Sequence, residues 1–259
     1  MLHGLRQWWH GKSMGLRSLA RIAPNLREPV RFCLRQITRR QGVRSYRLRG
    51  SQVRIFVRHS TGDLITLEEV LAERQYEPPP ALDQIVNGSR IADLGANIGL
   101  FSAWWLSRRP DARITAFEPD PDNASVLEQC MHANGDRAEV IRAAAAPHDG
   151  ELRFQAGELA ASRQVDDGGI AVKAVDAFPY LERCDFVKID IEGGEWALLS
   201  DARFADLPAK ALVVEYHPHL CPAPDPRAHA EALLTGAGWK LQHMDFDMPP
   251  GHGVVWAWR

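Results

Sequence analysis

The sequence predicts an α/β protein whose core is a mostly parallel sheet covered by helices on both faces, preceded by an extension of helices and strands. Three observations carry this expectation. From residue 90 onward, short apolar runs of strand length alternate with helical stretches. The first run, Ile91-Ala-Asp-Leu94, ends in the turn Gly95-Ala-Asn-Ile-Gly99, and a helical stretch follows at once. The chain then closes on two strand-like runs at 240–244 and 253–258.

The elements follow in chain order. Within residues 1–42, Leu19, Ile22, Leu26, Val30, Cys33 and Ile37 recur in steps of three or four and share one helical face, which Pro24 and Pro29 cut into pieces. This segment is expected to pack on the main domain as cover helices. Trp8 and Trp9 among many arginines open the alternative of a membrane-surface or partner-binding helix. Residues 46–57 alternate as one or two strands, 59–63 turn, 64–74 form a short helix, and Pro78-Pro79-Pro80 breaks the chain. The expected divisions are thus 1–42, 43–80 and 81–259. In the last, strands are expected at 90–94, 113–117, 139–144, 186–190 and 211–216. Helices are expected at 99–107, 124–134, from Glu195 and at 226–236, with an inserted hairpin at 151–154 and 170–175.

Composition narrows the function classes. With 45% apolar and 25% charged residues, the 259-residue chain reads as an ordinary globular protein. Its formal charge of −2 hides an asymmetry: residues 1–50 hold twelve Lys or Arg and one acid, and the remainder nineteen bases and thirty-two acids. Four scattered cysteines without a CxxC pair exclude a disulfide framework or zinc knuckle, and no run is long enough to span a membrane. A cytoplasmic setting is expected. The basic arm carries no nucleic-acid reading motif and precedes an acidic body, so a nucleic-acid partner is not expected.

Parallel sheets bind ligands beyond the carboxyl ends of their strands, so the candidate site lies there. Glycines at both ends of the 95–99 turn allow a sharp bend and a close ligand approach. Asn97 stands where a dinucleotide fingerprint needs its second glycine, which disfavours a pyrophosphate. Glu118 ends the second strand, where an acid accepts hydrogen bonds from an adenosine ribose. Pro119-Asp120-Pro121 then turns the chain into the next helix. The candidate cofactor-binding residues are Asp93, Gly95, Ala96, Asn97, Gly99, Glu118, Pro119, Asp120, Asn123 and Ala144, the last for the room that small residues leave beside an adenine. Trp104 and Trp105 read as core. The cofactor expected is S-adenosylmethionine.

These motifs resemble the FkbM family of methyltransferases. The resemblance covers about 63–217 and rests on Asp93-Leu-Gly-Ala-Asn-Ile-Gly99, Phe117-Glu-Pro-Asp-Pro121 with Asn123, Val187-Lys-Ile-Asp-Ile-Glu-Gly-Gly-Glu195 and Val214-Glu-Tyr-His-Pro218. It implies a seven-stranded, Rossmann-like class I methyltransferase sheet with an antiparallel closing strand, and O-methylation of sugar or natural-product hydroxyls.

A second cluster is expected where donor and acceptor meet. Lys188, Asp190 and Glu192 alternate, and so share one face if the strand runs that far. Glu215, His217 and His219 alternate on a neighbouring strand, a set of the type that binds divalent cations. Pro218 disturbs that alternation, and no metal is expected. The candidate catalytic residues are Asp190 lining the methyl-donor region, Glu192 and Glu215 gripping acceptor hydroxyls, and His217 as general base. His132, His148, His229, His243 and His252 are assigned to surface or packing. Two other readings of the same residues are aminopropyl transfer and a non-catalytic cofactor-binding scaffold docked to a membrane or a biosynthetic partner.

Overall fold

The computed structural model describes residues 16–86, 90–155, 163–164 and 169–259. Trp8 and Trp9 lie outside them. The N-terminal extension comprises α1 (Leu16–Ile22), α2 (Pro29–Ile37), the strand pair β1 (Val43–Arg47) and β2 (Arg54–Arg58), and α3 (Asp63–Leu67), which continues as a π-helical turn over Glu68–Glu73. The main sheet is built from β3 (Arg90–Leu94), β4 (Arg113–Phe117) and β5 (Ala138–Ile141), with α4 (Leu100–Arg108) and α5 (Pro121–His132) between them. A second sheet contains β6 (Ala144–Ala146), β7 (Gly150–Gln155), β8 (Arg163–Gln164) and β9 (Ile170–Asp176). After α6 (Phe178–Leu181) come β10 (Phe186–Ile189), α7 (Glu195–Ser200), β11 (Ala211–Tyr216), α8 (Pro226–Gly236), β12 (Lys240–Met244) and β13 (Gly253–Trp258).

The seven-stranded sheet has the order β12-β13-β11-β10-β3-β4-β5. Neighbours from β11 to β5 are parallel, and β13 is antiparallel to both β11 and β12. The fold class is therefore the expected Rossmann-like α/β sheet with one reversed strand. The two-residue period of the strands sorts their side chains onto two cores. Ile91, Phe186, Val213 and Trp256 face the core that holds α4, α5 and the N-terminal extension. Ala92, Val187, Leu212 and Val255 face the core of α6, α7 and α8. Trp105 stacks on Phe186 at 4.7 Å and Phe186 on Trp256 at 5.3 Å, in keeping with the core role expected for Trp105.

Three expectations are corrected. The expected third strand at 139–144 ends at Ile141, and Ala144 instead opens β6 in the second sheet, where it packs with Phe154 and Val172. The strand expected at 186–190 ends at Ile189, and Glu192 turns into the left-handed region at φ 51°, so Lys188, Asp190 and Glu192 are not successive positions of one strand face. The apolar face of residues 19–37 is not continuous. Leu19, Ile22 and Leu26 are buried, but on α2 the buried residue is Phe32, while Val30, Leu34 and Ile37 are 69%, 57% and 60% exposed. The interruption at Pro24 and Pro29 rotates the second helix relative to the first, so a period counted across both does not describe one surface. No helix among the described residues is long and apolar enough to cross a membrane.

Candidate active site

The site is assembled at the carboxyl ends of β3, β4, β10 and β11. At the end of β3 the chain bends through Gly95 (φ 78°), Asn97 (φ 51°) and Gly99 (φ 81°) into α4. The backbone N–H groups of Gly95 and Ala96 both donate to Phe117 O, pinning the loop over the end of β4. A Cβ on Gly95 would lie 1.7 Å from the Asp190 carbonyl oxygen, so only glycine lets this loop touch the end of β10.

Glu118 is buried beside the loop. Its Oε2 accepts from Asn97 N at 2.8 Å and its Oε1 from Asp120 N at 2.9 Å. Burial pushes its pKa up to about 7, against the lowering effect of those two N–H groups. Asp120 caps α5, accepting from the N–H groups of Asp122 and Asn123, with Pro119 between it and Glu118 and Pro121 at the first helical position. Asn123 bonds Glu118 and also accepts from Arg58 Nη2 at 2.6 Å, while Arg58 forks onto Asp63. Asp120 and Asn123 thus hold the scaffold behind Glu118, and the N-terminal strand pair is tied to the same group.

This loop suits the adenosine end of S-adenosylmethionine. Asn97 Oδ1 is buried without a hydrogen-bond partner. Each Glu118 oxygen keeps lone-pair capacity beyond its one backbone donor. An orphaned amide oxygen beside a carboxylate offers acceptors to ribose hydroxyls or an adenine amine.

Asp93 and Lys188 join this loop to the acidic cluster. Lys188 Nζ donates to Gly95 O at 2.8 Å and lies 3.3 Å from Asp93 Oδ1 and 3.1 Å from Asp190 Oδ2. Asp93 Oδ2 accepts from Ser102 Oγ at 2.6 Å. Burial opposes the charge on Lys188, but Asp190 and Asp93 outweigh it and raise its pKa. In the same way burial would raise Asp190, yet Lys188 and His217 hold it below its ordinary range.

Tyr76 was not a candidate from sequence, yet its Oη lies 3.0 Å from Asp190 Oδ2 and 2.7 Å from Glu215 Oε2. One hydroxyl hydrogen serves only one of these contacts, so the other requires a proton on a carboxyl. Burial and the neighbouring Asp190 push Glu215 up to about 8, which places that proton on Glu215 near neutrality. Glu195 was read as the start of a helix and the end of a family motif, with no role at the site. It is wholly buried, and its Oε1 accepts from His217 N at 2.8 Å and lies 3.1 Å from His217 Nδ1. Its Oε2 accepts from Gly193 N, so Glu195 clamps the turn that carries Glu192.

His217 Nε2 lies 3.6 Å from Glu192 Oε2, 3.7 Å from Glu215 Oε1 and 3.9 Å from Asp190 Oδ1. Burial would depress the imidazole, but Glu192, Glu195 and Glu215 outweigh it and raise its pKa. All four candidate catalytic residues therefore converge. His219 instead lies against Gly193, with its carbonyl accepting from Trp196 Nε1 at 3.1 Å. His252 stacks edge-on against His217 at 5.2 Å, which places it beside the cluster. Tyr76 carried no sequence signal toward this site, because its partners lie 114 and 139 residues away, and Glu195, though it ends a family motif, gave no sign that it meets His217 22 residues on.

Comparison with known proteins bears on the family to which the chain belongs. Hexuronic acid methyltransferase AglP of Haloferax volcanii is 26% identical over 161 residues, which span 58% of this chain and 64% of AglP. The chain thus matches somewhat under two thirds of that relative's length. Among solved structures, the fibrillarin of Aeropyrum pernix with natively bound S-adenosyl-L-methionine aligns over 83% of this chain and 82% of its own, at 15% identity and a TM-score of 0.46. A precorrin-6y C5,15-methyltransferase of Geobacter metallireducens aligns over 73% and 89%, at 13% identity and a TM-score of 0.46. Residues 93–231, more than half of the chain, match the Methyltransferase FkbM domain, and the protein belongs to that family of S-adenosylmethionine-dependent methyltransferases.

Proposed function

We propose that the protein transfers a methyl group from S-adenosylmethionine to a hydroxyl oxygen of a sugar, glycolipid or natural product. The observation that carries this reading is Lys188, whose ammonium joins the carbonyl of Gly95 to Asp93 and Asp190 and so makes the cofactor loop and the acidic cluster one site. The similarity to AglP, named for hexuronic acid, supports a sugar acceptor.

In this reading Asp93, Gly95, Ala96, Asn97, Gly99 and Glu118 hold the cofactor, and Pro119, Asp120 and Asn123 support Glu118 from behind. When bound, the cofactor supplies a methyl group already activated on a cationic sulfur. The chain aligns an acceptor oxygen with it and accepts the hydroxyl proton. The facing atoms available for that are His217 Nε2, Asp190 Oδ1, Glu192 Oε2 and Glu215 Oε1. Of these, His217 is oriented by Glu195 and is the candidate base, acting in the molecules in which Nε2 has lost the proton that its carboxylate neighbours favour.

Calorimetry with S-adenosylmethionine should show affinity falling about tenfold, or about 1.4 kcal/mol, in Glu118→Gln. Unchanged affinity removes Glu118 from the cofactor site. Methyl transfer to a panel of sugars and glycolipids should disappear in Asp190→Ala and His217→Ala. If His217→Ala stays active, the base is another member of the cluster. Cofactor binding with no transfer to any acceptor favours the scaffold reading, and transfer of an aminopropyl group from the decarboxylated cofactor favours the third.

A specific observation also bears on where the protein works. Val30, Leu34 and Ile37 form an exposed stripe on α2, with Arg27, Arg31, Arg39 and Arg40 exposed around it. Aliphatic side chains flanked by guanidinium groups suit an anionic lipid surface. We infer that α2 rests on such a surface and presents lipid-linked acceptors to the site.

A further inference from the structure

Both ring nitrogens of His217 face carboxylate oxygens. Behind the ring, Glu195 Oε1 lies 3.1 Å from Nδ1 of His217, so Nε2 is the ring nitrogen aimed into the cluster. The ring is 2% exposed, and Nε2 faces carboxylate oxygens of Glu192, Glu215 and Asp190 at 3.6–3.9 Å, beyond hydrogen-bond length. Two of those oxygens are held in place by bonds behind them. Asp190 Oδ2 is engaged by Lys188 and Tyr76, and Glu215 Oε2 by Tyr76, so Oδ1 and Oε1 face inward.

The spacing decides what such a group accommodates. A proton shared between any two of these atoms would draw them to about 2.7–2.9 Å. Oxygen and nitrogen donors about 2.1–2.4 Å from a shared cation stand about 3.0–3.4 Å apart when adjacent and up to about 4.8 Å apart when opposite. The observed separations are too long for a shared proton and fall within the range that a cation spans.

We infer that Asp190, Glu192 and His217 hold a divalent cation at the carboxyl ends of β10 and β11, with Glu215 Oε1 as a further oxygen donor. The ligand atoms of the first three all lie within 4.8 Å of one another. This differs both from the metal-free site expected from sequence and from the set Glu215, His217 and His219. Carboxylate oxygens with one imidazole suit magnesium or manganese, and zinc less well without a second nitrogen or a sulfur. The cation would offset the negative charge of Asp190, Glu192 and Glu195. It would also give an acceptor hydroxyl an electropositive contact and, by occupying Nε2, leave the hydroxyl proton to a carboxylate of the cluster rather than to His217, and only that use rests on the methyl-transfer reading.

The test takes the full chain, treated with a chelator, and titrates Mn²⁺ alone by electron paramagnetic resonance. One ion per chain is expected. Asp190→Asn and Glu192→Gln should each weaken binding at least about tenfold, and Glu195→Gln, which positions His217 from behind, about 10- to 100-fold. Glu231→Gln on α8 should leave it unchanged. In the unaltered protein, pulsed spectra should show nitrogen coupling from an imidazole, a readout that needs no variant to fold. Absence of stoichiometric Mn²⁺, absence of nitrogen coupling, or an unchanged affinity in Glu192→Gln overturns the site. S-adenosylmethionine titrated into the same sample separates the two claims. Cofactor binding without Mn²⁺ binding sinks the cation and spares the methyltransferase reading, and the reverse result does the opposite.

Discussion

Two regions of this protein break the rule that apolar groups go inside and charges outside, and they break it in opposite directions. At the strand ends, Asp93, Lys188, Glu195 and His217 are buried, with Asp190, Glu192 and Glu215 half-buried beside them. On α2, Val30, Leu34 and Ile37 face outward instead. The first costs folding free energy unless each charge finds a partner, and nearly every one does. The second costs little in the isolated chain, because singly exposed aliphatic groups are common. A buried polar cluster is therefore held by its own network, whereas an exposed stripe is free to change without disturbing the fold. That difference predicts how each region responds to substitution.

The largest effect is expected at Gly95. Gly95→Ala puts a Cβ against the Asp190 carbonyl at a left-handed backbone position. Stability should fall by about 3 kcal/mol or more, and cofactor affinity by about 100-fold or more. Thermal melts and calorimetry measure both. A folded Gly95→Ala with normal affinity would show that the loop and the end of β10 are not in contact.

Next is Tyr76→Phe, which removes the hydroxyl between Asp190 and Glu215. Denaturant titration should show a loss of about 1–3 kcal/mol, since two half-buried carboxyls lose a shared partner. A loss well below this range means that water replaces the hydroxyl and the cluster is less enclosed.

The double substitution Val30→Asp with Leu34→Asp sharpens the contrast. Stability should stay within about 0.5 kcal/mol, because these side chains pack on nothing essential. Sedimentation with vesicles containing anionic lipid should drop to background, and vesicles of neutral lipid should bind neither protein. Undiminished binding by the double variant rules out α2 as the contact.

The smallest effect is expected from acid. His59 is buried between Tyr46 and Gln36, and burial first, then Arg35 and Arg44, lowers its pKa to about 4 from 6.5. The unfolded chain therefore takes up this proton first as pH falls. Its contribution to stability is present above about pH 6.5 and is lost progressively toward pH 4. Unfolding free energies measured at pH 7.5 and 5.0 should differ less in His59→Gln than in the unaltered protein. Equal differences would mean that other groups set the acid limit.

Much of the architecture was legible because it follows from local chemistry. The 90–94 and 113–117 strands, the 226–236 helix and the closing strand pair appear where apolar period and turn residues place them. The split of 139–144 into two strands was not legible, because Ala143, Ala144 and Ala145 suit either sheet and only their partners decide. The α2 face was misread for a related reason. A helical period shows which residues share a side, but two prolines break its phase.

By itself, then, the sequence determined the parallel α/β sheet, the glycine loop and the family motifs, since backbone freedom, strand period and residue order are all carried within short segments. Only the tertiary structure decided that Tyr76, from beyond the main domain's start, reaches Asp190 and Glu215. It also decided that Glu195 orients His217 and that three carboxylate oxygens face Nε2. Those contacts join elements far apart in the chain, and a side chain's partner at such range is set by how strands stack side by side, which no local pattern records.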